Sequence, residues 1–596
     1  MQIITRATKL RLRRTLRQRQ RKVEEATLRA ETGFDANFID RLERLLDVKR
    51  FVGGWLFLVV TIGILTVLQT VQLRSYYLRP GPVEGGTFNE AMLGTYSNAN
   101  PIYANGPVDT SVSRLVFAGL LKYNTQNELA GDLADNYSVD DSGKQYTVTL
   151  RQNLTWHDGR HLTAEDVVFT YKLIQNPDAR SPLFSSWQGI GISSPKPNTV
   201  VFTLPTALTA FPHSLTTGIL PEHILAKIPA SQLRADSFNT TIPVGAGPFK
   251  WADLQIGSGA GLGDATTLVS LKSFENYAGG KPKLDGFVLH VYDDEEQLVA
   301  AYKKRSIEAI AGLKNIPESL KNDRSLNVQR FTTTAATMLF FKTSEGILSD
   351  VSVRKGLVLA TDKQKITNDL GGNLRPVNGP FLLGQLGYAK EHEQPAYNPQ
   401  LAEAVLEQAG WLKGKDGIRA KNNQPLSFLV VAEDTKDNQA TLKSIKNLWK
   451  SVGVDLQVVL QPITDFQSTV ETHSYSALLY RISIGPDPDV YAYWSSTQAD
   501  PRSSNRLNFS EYKSAVADAA LEGGRTRQDT LVRSLKYKPF MKAWQEDAPA
   551  IGLYQPVALY LSRGSISGLQ EHTINTDADR YYSVNEWAVK TGYLPK

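Results

Sequence analysis

Cysteine is absent from all 596 residues. That excludes disulfides, thiolate zinc sites, a cysteine nucleophile and a lipid-modified N-terminal cysteine, and it leaves the redox compartment open. Any attachment to a membrane must therefore be made by the polypeptide itself. Histidine is sparse, eight in all, and the carboxylates are scattered rather than gathered around them. No Gly-x-Ser-x-Gly elbow occurs anywhere. A repeat period and a dominant low-complexity tract are also missing, and an excess of one charge is missing from most of the chain. The first fifty residues hold fourteen Lys and Arg against seven Asp and Glu, a net +7, so with a formal +6 overall the remaining chain carries −1. A nucleic-acid-binding surface on the body has no support in that balance.

With 41% hydrophobic and 21% charged residues, the composition is that of a folded protein, long enough for roughly three or four domains of about 150 residues. One long uncharged run stands out, "FVGGWLFLVVTIGILTVLQTVQL" from Phe51 to Leu73. As a helix rising ~1.5 Å per residue it reaches about 34 Å, enough for a hydrocarbon core of ~30 Å with some tilt. A cleaved signal peptide is the alternative, but its apolar region is usually about 7–15 residues and ends in a small-x-small site, which "QLRSYYLRP" does not offer. A retained single-pass anchor is expected. Arg41, Arg44, Lys49 and Arg50 precede it, reinforced by nine basic residues between Arg6 and Lys22, whereas Arg74 and Arg79 are the basic residues that follow closely. The positive-inside rule puts residues 1–50 in the cytoplasm and everything after about residue 74 outside.

The arm "RLRRTLRQRQRK" lacks interleaved aromatics, so binding to anionic lipid suits it better than binding to RNA. "FIDRLERLLDV" spaces Phe38, Leu42, Leu45 and Leu46 for a short amphipathic helix on the inner leaflet. A Pro/Gly linker follows the anchor, "RPGPVEGG" within 74–85 and its edge. Beyond it, short alternating strands mix with helices, an α/β body of mixed type. "KQYTVTLRQ" alternates with period two and puts Tyr146, Val148 and Leu150 on one face of a strand. "AEAVLEQAGW" has helical spacing with Gly410 as a stop, and "VDLQVVLQP" is a strand ended by Pro462.

"WHDGRHLTAEDVVFTY", Trp156 to Tyr171, contains the chain's most suggestive chemistry. His157 and His161 have the spacing of a helical zinc pair, but Asp158-Gly159 is a turn signal between them. Thr163 and Asp166 form a capping-box pattern that starts a helix over Ala164–Ile174. A structural corner is the expectation. "GSGAGLG", Gly257 to Gly263, lacks a dinucleotide fingerprint's ending and a following Lys-Ser/Thr, so a flexible hairpin loop is expected there.

Taken in order, nine segments resemble extracytoplasmic solute-binding protein family 5, the peptide/nickel-binding receptors of ATP-binding-cassette importers. They are "VDTSVSRLVFAGLLKYN", "GDLADNYSVDDSGKQYTVTLRQNLTWHDGRHLTAEDVVFTY", "VGAGPFKW", "VRKGLVLATDKQKI", "YNPQLAEAVLEQAGW", "WKSVGVDLQVVLQPITDF", "GPDPDVYAYWSSTQ", "NFSEY" and "WQEDAPAIGLYQP". The resemblance spans roughly residues 84–560 and says nothing of residues 1–80.

It implies a two-lobed, periplasmic-binding-protein-like type II fold that closes on its ligand like a hinged clamp. Lobe I would comprise 86–333 and 550–596, with an extra subdomain near 108–240, and lobe II 334–549. Hinges would lie near Phe331 to Ala335 and Pro549 to Tyr554. The implied role is that of a monomeric receptor, not an enzyme and without a cofactor, that captures oligopeptides and hands them to permease subunits driven by cytoplasmic ATPases. Two alternatives are the same fold with a non-peptide ligand (nickel chelate, haem, oligosaccharide or opine) and a sensor without transport. A nickel site would draw on His473 or His213.

The resemblance also implies ligand contacts. Tyr480, Ser483, Ile484, Gly485, Asp487, Tyr491 and Trp494 belong to a segment similar to the lobe II strand that lines the cleft. Tyr96 and Asn98 lie in one similar to the N-terminal contact segment, and Arg375 in a similar cleft loop. One departure is plain. Many di- and oligopeptide receptors hold the peptide's α-ammonium with an aspartate three residues before an Asp-Pro; counting back from Asp487-Pro488 gives Ile484. A buried ammonium without a charged partner is costly. Either another carboxylate serves, with Asp487 a candidate, or the ligand has no free amino terminus there. Asp487 also suits a simple strand-end turn.

Overall fold

The computed structural model describes residues 6–34, 49–257, 265–371, 374–500, 503 and 506–595. The expected amphipathic helix around Phe38–Leu46 and nearly all of the glycine-rich loop after Gly257 lie outside them. The chain divides into two compact units, Met1–Gly81 with Thr591–Lys596, and Pro82–Lys590.

In the first unit, Arg6–Phe34 is a helix, where the sequence had suggested only a basic arm. A second helix spans Lys49–Tyr77, and its segment Phe51–Arg74 is long and apolar enough to cross a membrane. Its hydroxyls are satisfied internally: Thr61 Oγ1 donates to the Phe57 carbonyl (2.7 Å), Thr66 to Ile62 (2.7 Å) and Thr70 to Thr66 (2.8 Å). An apolar surround therefore meets no unpaired hydroxyl there. Strand Leu78–Val83 follows directly and pairs with the C-terminal strand Lys590–Pro595. The Arg74 guanidinium lies over the Tyr593 ring at 4.7 Å.

The second unit is built on two large sheets. The first has the order Leu326–Thr332, Val557–Arg563, Ala309–Ala311, Thr87–Leu93, Gly286–Tyr292, Thr267–Ser273, Phe249–Ile256. Thr87–Leu93 runs parallel to both its neighbours, and its consecutive residues Glu90, Ala91 and Met92 are buried on both faces. Glu90 sits on it fully buried, accepting from Tyr560 Oη (2.6 Å), Tyr581 Oη (2.5 Å) and Arg580 Nη2 (2.5 Å). Burial alone would disfavour the Arg580 cation, but Glu90 more than offsets this and its pKa is raised. Replacing one partner alone would leave a buried charge. The pair thereby pins the C-terminal segment around Arg580 to the middle of the sheet.

The second sheet has the order Arg375–Pro376, Ala550–Gln555, Ala335–Phe341, Ala477–Ser483, Ser427–Glu433, Asp455–Gln461. Apolar side chains cover both faces: Leu339, Leu479 and Ile551 on one, Met338, Leu478 and Ile482 on the other. The chain passes between the sheets at Thr333–Thr334 and again at Pro556. The sequence reading had put the return near Pro549–Tyr554, but Ala550–Gln555 pairs inside the second sheet. Pro556 has no N–H to continue a ladder. Instead its carbonyl accepts from Thr333 N (3.2 Å) and Thr333 Oγ1 (3.0 Å).

A four-stranded sheet, Ala134–Val139, Gln145–Leu150, Thr199–Thr203 and Gly191–Lys196, packs with helix Ala164–Ile174. Tyr146, Val148 and Leu150 are buried together, as the alternation predicts. Asp166 Oδ2 caps the helix by accepting from Thr163 N (2.9 Å). Between strand and helix, Asp158-Gly159 turns the chain, with Gly159 at φ +88°, and the backbone of Thr155 bridges that of His161. His161 is exposed. His157 packs edge-on against Phe274 and is bonded on both ring nitrogens: Nε2 donates to the Gly247 carbonyl (3.0 Å) and Nδ1 accepts from Gly245 N (3.2 Å). It ties this corner to the "VGAGPFKW" turn, whose Gly245 and Gly247 run so close to Val116 that a Cβ would strike backbone at 2.0 and 2.6 Å.

Burial pushes the His157 pKa down to about 4, below the ~6.5 of an unfolded chain. The folded state then binds fewer protons, so its contribution is complete above about pH 6.5 and is lost as the pH falls toward 4. His157→Ala, which strands the Gly245 N–H and the Gly247 carbonyl, should cost roughly 2–4 kcal/mol in denaturant unfolding at neutral pH, and the loss should shrink toward pH 4. His161→Ala should stay within about 0.5 kcal/mol of wild type. Equal, small effects at both positions would contradict the structural role given to His157.

Candidate functional site

The two sheets and their helices face each other across a cavity of about 440 Å³, within the ~300–1,000 Å³ range of ligand pockets. One wall comes from the first sheet's side: Pro107 at the start of a helix, the Ala311–Asn315 loop, and Ile574–Asp577 with Arg580. The other comes from the second: Leu370, Leu374, Asp437, Arg481 and Tyr554. Phe331, Thr333, Ala335 and Pro556, at the crossings, form the floor. Thr334 holds floor and walls together. Its N–H donates to the Ile574 carbonyl (2.9 Å) and its Oγ1 to Asn575 Oδ1 (2.8 Å), while its own carbonyl accepts from Ile484 N (2.9 Å) and Gly485 N (3.1 Å).

Five charged side chains line this space. Lys314 and Asp437 face each other from opposite walls at 3.7 Å. Arg580 is matched by Glu90 behind it. Arg481 is exposed and Asp577 half-buried, and neither side chain has an ion pair or hydrogen bond among the described residues. Arg481 owes its place to the strand's alternation: Leu478, Tyr480 and Ile482 pack into one core, so Arg481 and Ser483 point away from it.

Farther from the crossings the facing surfaces are polar and internally matched. Asp487 takes two bonds from Arg533, Nη1 to Oδ2 and Nη2 to Oδ1, both 2.8 Å, and Arg533 Nε donates to the Gly524 carbonyl (2.8 Å). Arg525 pairs with Asp489 (3.1 Å) and lies 4.2 Å over the Tyr491 ring. Burial raises the Asp489 pKa against the pull of Arg525. Opposite them, Tyr123 Oη and His213 Nδ1 are hydrogen-bonded at 3.1 Å. Burial pushes the Tyr123 pKa up and the His213 pKa down. At the rim the walls touch: Thr209 N and Oγ1 donate to the carbonyls of Arg525 (3.0 Å) and Arg527 (2.6 Å).

None of the ten residues expected to touch ligand is among those that line this cavity. Tyr96 packs against Trp251 and donates to the Thr240 carbonyl (2.9 Å). Asn98 is folded into a turn, its Oδ1 accepting from Asn100 N (2.7 Å) and its N–H donating to Asp109 (3.1 Å). Arg375 is exposed beside Leu374, which does line the cavity. Tyr480 packs on Phe466 and Phe509, and Trp494 is buried between Phe340 and Trp544. Ser483 is exposed, its carbonyl accepting from Tyr493 Oη (3.0 Å). Gly485 takes φ +80° and its carbonyl accepts from Gln385 Nε2 (2.7 Å). Ile484 is buried, Tyr491 lies under Arg525, and Asp487 is neutralised by Arg533.

Arg533, Arg525, Asp437 and Lys314 were missed from sequence because their partners are remote in the chain, and Asp577 because no local pattern marks it. Arg481 was within reach, as the outward phase of a strand already singled out. Of the two histidines considered for a metal, His473 is buried with both ring nitrogens engaged, Nδ1 to Glu511 (3.0 Å) and Nε2 to the Arg506 carbonyl (3.0 Å). No group of three metal-ligating side chains occurs among the described residues.

The chain is similar to the oligopeptide-binding protein AppA of Bacillus subtilis (strain 168), 25% identical over 523 residues that cover 85% of this chain and 92% of AppA. It is also similar to the dipeptide-binding protein of Escherichia coli (strain K12), 25% identical with 84% and 92% covered. The crystal structure of NikZ from Campylobacter jejuni with Ni(L-His) superposes with a TM-score of 0.69 at 26% identity, over 84% of this chain and 99% of NikZ. The fold is the type II periplasmic-binding-protein fold. Residues 128–503, more than half of the chain, match the model for "Bacterial extracellular solute-binding proteins, family 5 Middle", and the chain belongs to that family.

Proposed function

We propose that this protein is a membrane-tethered receptor that captures oligopeptides between its two lobes and presents them to the permease of an ATP-binding-cassette importer. The observation that carries the reading is the cavity itself, lined from both lobes and floored by the crossings. A ligand that touches both walls favours the closed arrangement by its differential affinity for it, and rotation would be absorbed at Thr333–Thr334 and Pro556. In this reading the lobes are about 86–333 with the segment after Pro556, and 334–555, the family division with its second boundary moved from 549 to 555 because Ala550–Gln555 pairs in the second sheet. The protein acts as a monomer and a binder rather than a catalyst. AppA and the dipeptide-binding protein, by their names, bind peptides.

The helix Lys49–Tyr77 serves as the tether, with residues 1–50 in the cytoplasm and the body outside. Its flanking charge and its apolar length support this. Tethering keeps the receptor at high effective concentration beside the permease. The helix Arg6–Phe34, exposed over residues 14–29 and basic along Arg6–Lys22, then lies where anionic lipid headgroups are.

A second reading, the same fold with a non-peptide ligand, is favoured by Ile484, which leaves the position of the amine-binding aspartate without charge, and by NikZ, which holds Ni(L-His).

Full-length protein purified in detergent and denatured should release a mixture of peptides detectable by mass spectrometry; a single non-peptide species would overturn the first reading in favour of the second. Topology can be tested cleanly because the chain has no cysteine. In intact cells a membrane-impermeant maleimide should label Ser142→Cys and spare Thr15→Cys until the membrane is opened. The reverse pattern, or protection of both, would contradict the proposed orientation.

A further inference from the structure

Tyr76, Tyr77 and Tyr593 are the three most exposed tyrosines among the described residues, at 72%, 60% and 58%, and all three belong to the first unit. Tyr76 and Tyr77 stand just past Arg74, where the apolar segment Phe51–Arg74 ends, and their rings meet edge to face at 5.0 Å. Tyr593 comes from the late strand Lys590–Pro595, which pairs with Leu78–Val83 directly after that helix. Side chains alternate across a strand, and here the two faces are used differently. Leu594 lies against Gly81, where a Cβ would meet its Cδ1 at 2.7 Å. Tyr593 takes the other face and carries the Arg74 guanidinium 4.7 Å over its ring. The late strand is thus fastened both to its partner strand and to the end of the helix, yet three aromatic rings at this junction stay open.

Two features say what covers them. The junction continues the apolar segment without a break, so whatever surrounds that segment ends at these rings. Tyrosine favours the level where hydrocarbon gives way to headgroups, with its ring in the apolar layer and its hydroxyl in the polar one. The charge there also has one sign: residues 74–83 and 590–596 contain Arg74, Arg79, Lys590 and Lys596 and no Asp or Glu. Such side chains lay their apolar stems along a membrane and put their heads among phosphates. A further protein strand is a poorer occupant, because Pro80 and Pro82 offer no N–H along Leu78–Val83.

Resting on the tether reading above, we infer that the helix end and the paired strands form one collar on the outer surface of the membrane, in which Tyr593 joins Tyr76 and Tyr77 at headgroup level. The protein then meets lipid through two remote stretches of its sequence, the helix and the late strand. The segment that reads as a Pro/Gly linker is held as a strand against the bilayer instead of trailing from it. Arg74 over Tyr593 is the seam between the two, a cation on a ring whose hydroxyl reaches the same phosphate layer.

The absence of cysteine permits single labels. Full-length protein is reconstituted in vesicles of phosphatidylcholine and phosphatidylglycerol, with an environment-sensitive fluorophore on Thr591→Cys or, as a control for the span, on Ile62→Cys. Thr591 is exposed and shares the face of Tyr593. Lipid with a headgroup spin label should quench the fluorophore at 591, and lipid spin-labelled in its acyl chain the one at 62. A second substitution separates contact from mere nearness: Tyr593→Ser should cut quenching at 591 at least about twofold, and Tyr593→Trp, another interfacial ring, should keep it. Quenching at 62 with none at 591, as when a second copy of the chain covers the patch, would overturn the inference and leave the tether standing. So would quenching at 591 that Tyr593→Ser leaves unchanged, or that Tyr593→Trp also abolishes. A label at 62 that acyl-chain spin labels do not quench would overturn both.

Discussion

Everything in the second unit depends on how two strands leave one sheet and enter another. At Thr333–Thr334 and at Pro556 the ladder of backbone hydrogen bonds must stop on one side and restart on the other without stranding polar groups. The solution is local. Pro556 removes a donor where none is wanted, and its carbonyl takes two bonds from Thr333. Gln555 Nε2 donates to the Thr333 carbonyl (3.0 Å). Thr334 distributes its own groups between Ile574 and Asn575 of one lobe and Ile484 and Gly485 of the other. The junction is bonded yet short, so only a few backbone dihedrals separate the two sheets, which is what the proposed hinge requires.

The same junction fixes the electrostatics of the cleft. Near the rim, Asp487 with Arg533 and Asp489 with Arg525 are matched within lobe II, so that wall offers shape and neutral hydrogen bonds. Near the floor, matching is incomplete at Arg481 and Asp577. Ion pairs that are already satisfied gain little from a ligand, whereas an unmatched charge that loses water on closure needs one. Charge along the cleft is therefore unevenly matched, paired near the rim and less so near the floor.

Much of this was legible in the chain. Period-two burial at Tyr146, Val148 and Leu150, the Thr163–Asp166 cap and the Asp158-Gly159 turn follow from local chemistry and are present in the structure. Nine ordered segments were enough to indicate the family. Long-range pairing was not legible. Asp487 and Arg533 are bound although 46 residues apart, and Glu90 and Arg580 although 490 apart; no periodicity encodes such partners. For that reason Asp487 reads as an unpaired carboxylate in the sequence although Arg533 holds both its oxygens, and Asp577, at the start of a short turn, carries no local signal. The sequence places the return crossing a few residues early because Ala550–Gln555 is one continuous buried strand and marks no lobe boundary until Pro556.

The most direct measurement is a crystal structure of the protein with the ligand it carries from the cell. The account requires electron density in the interlobe cavity, in contact with both walls. Density confined to one lobe, or a ligand bound elsewhere with this cavity filled by solvent alone, would contradict it.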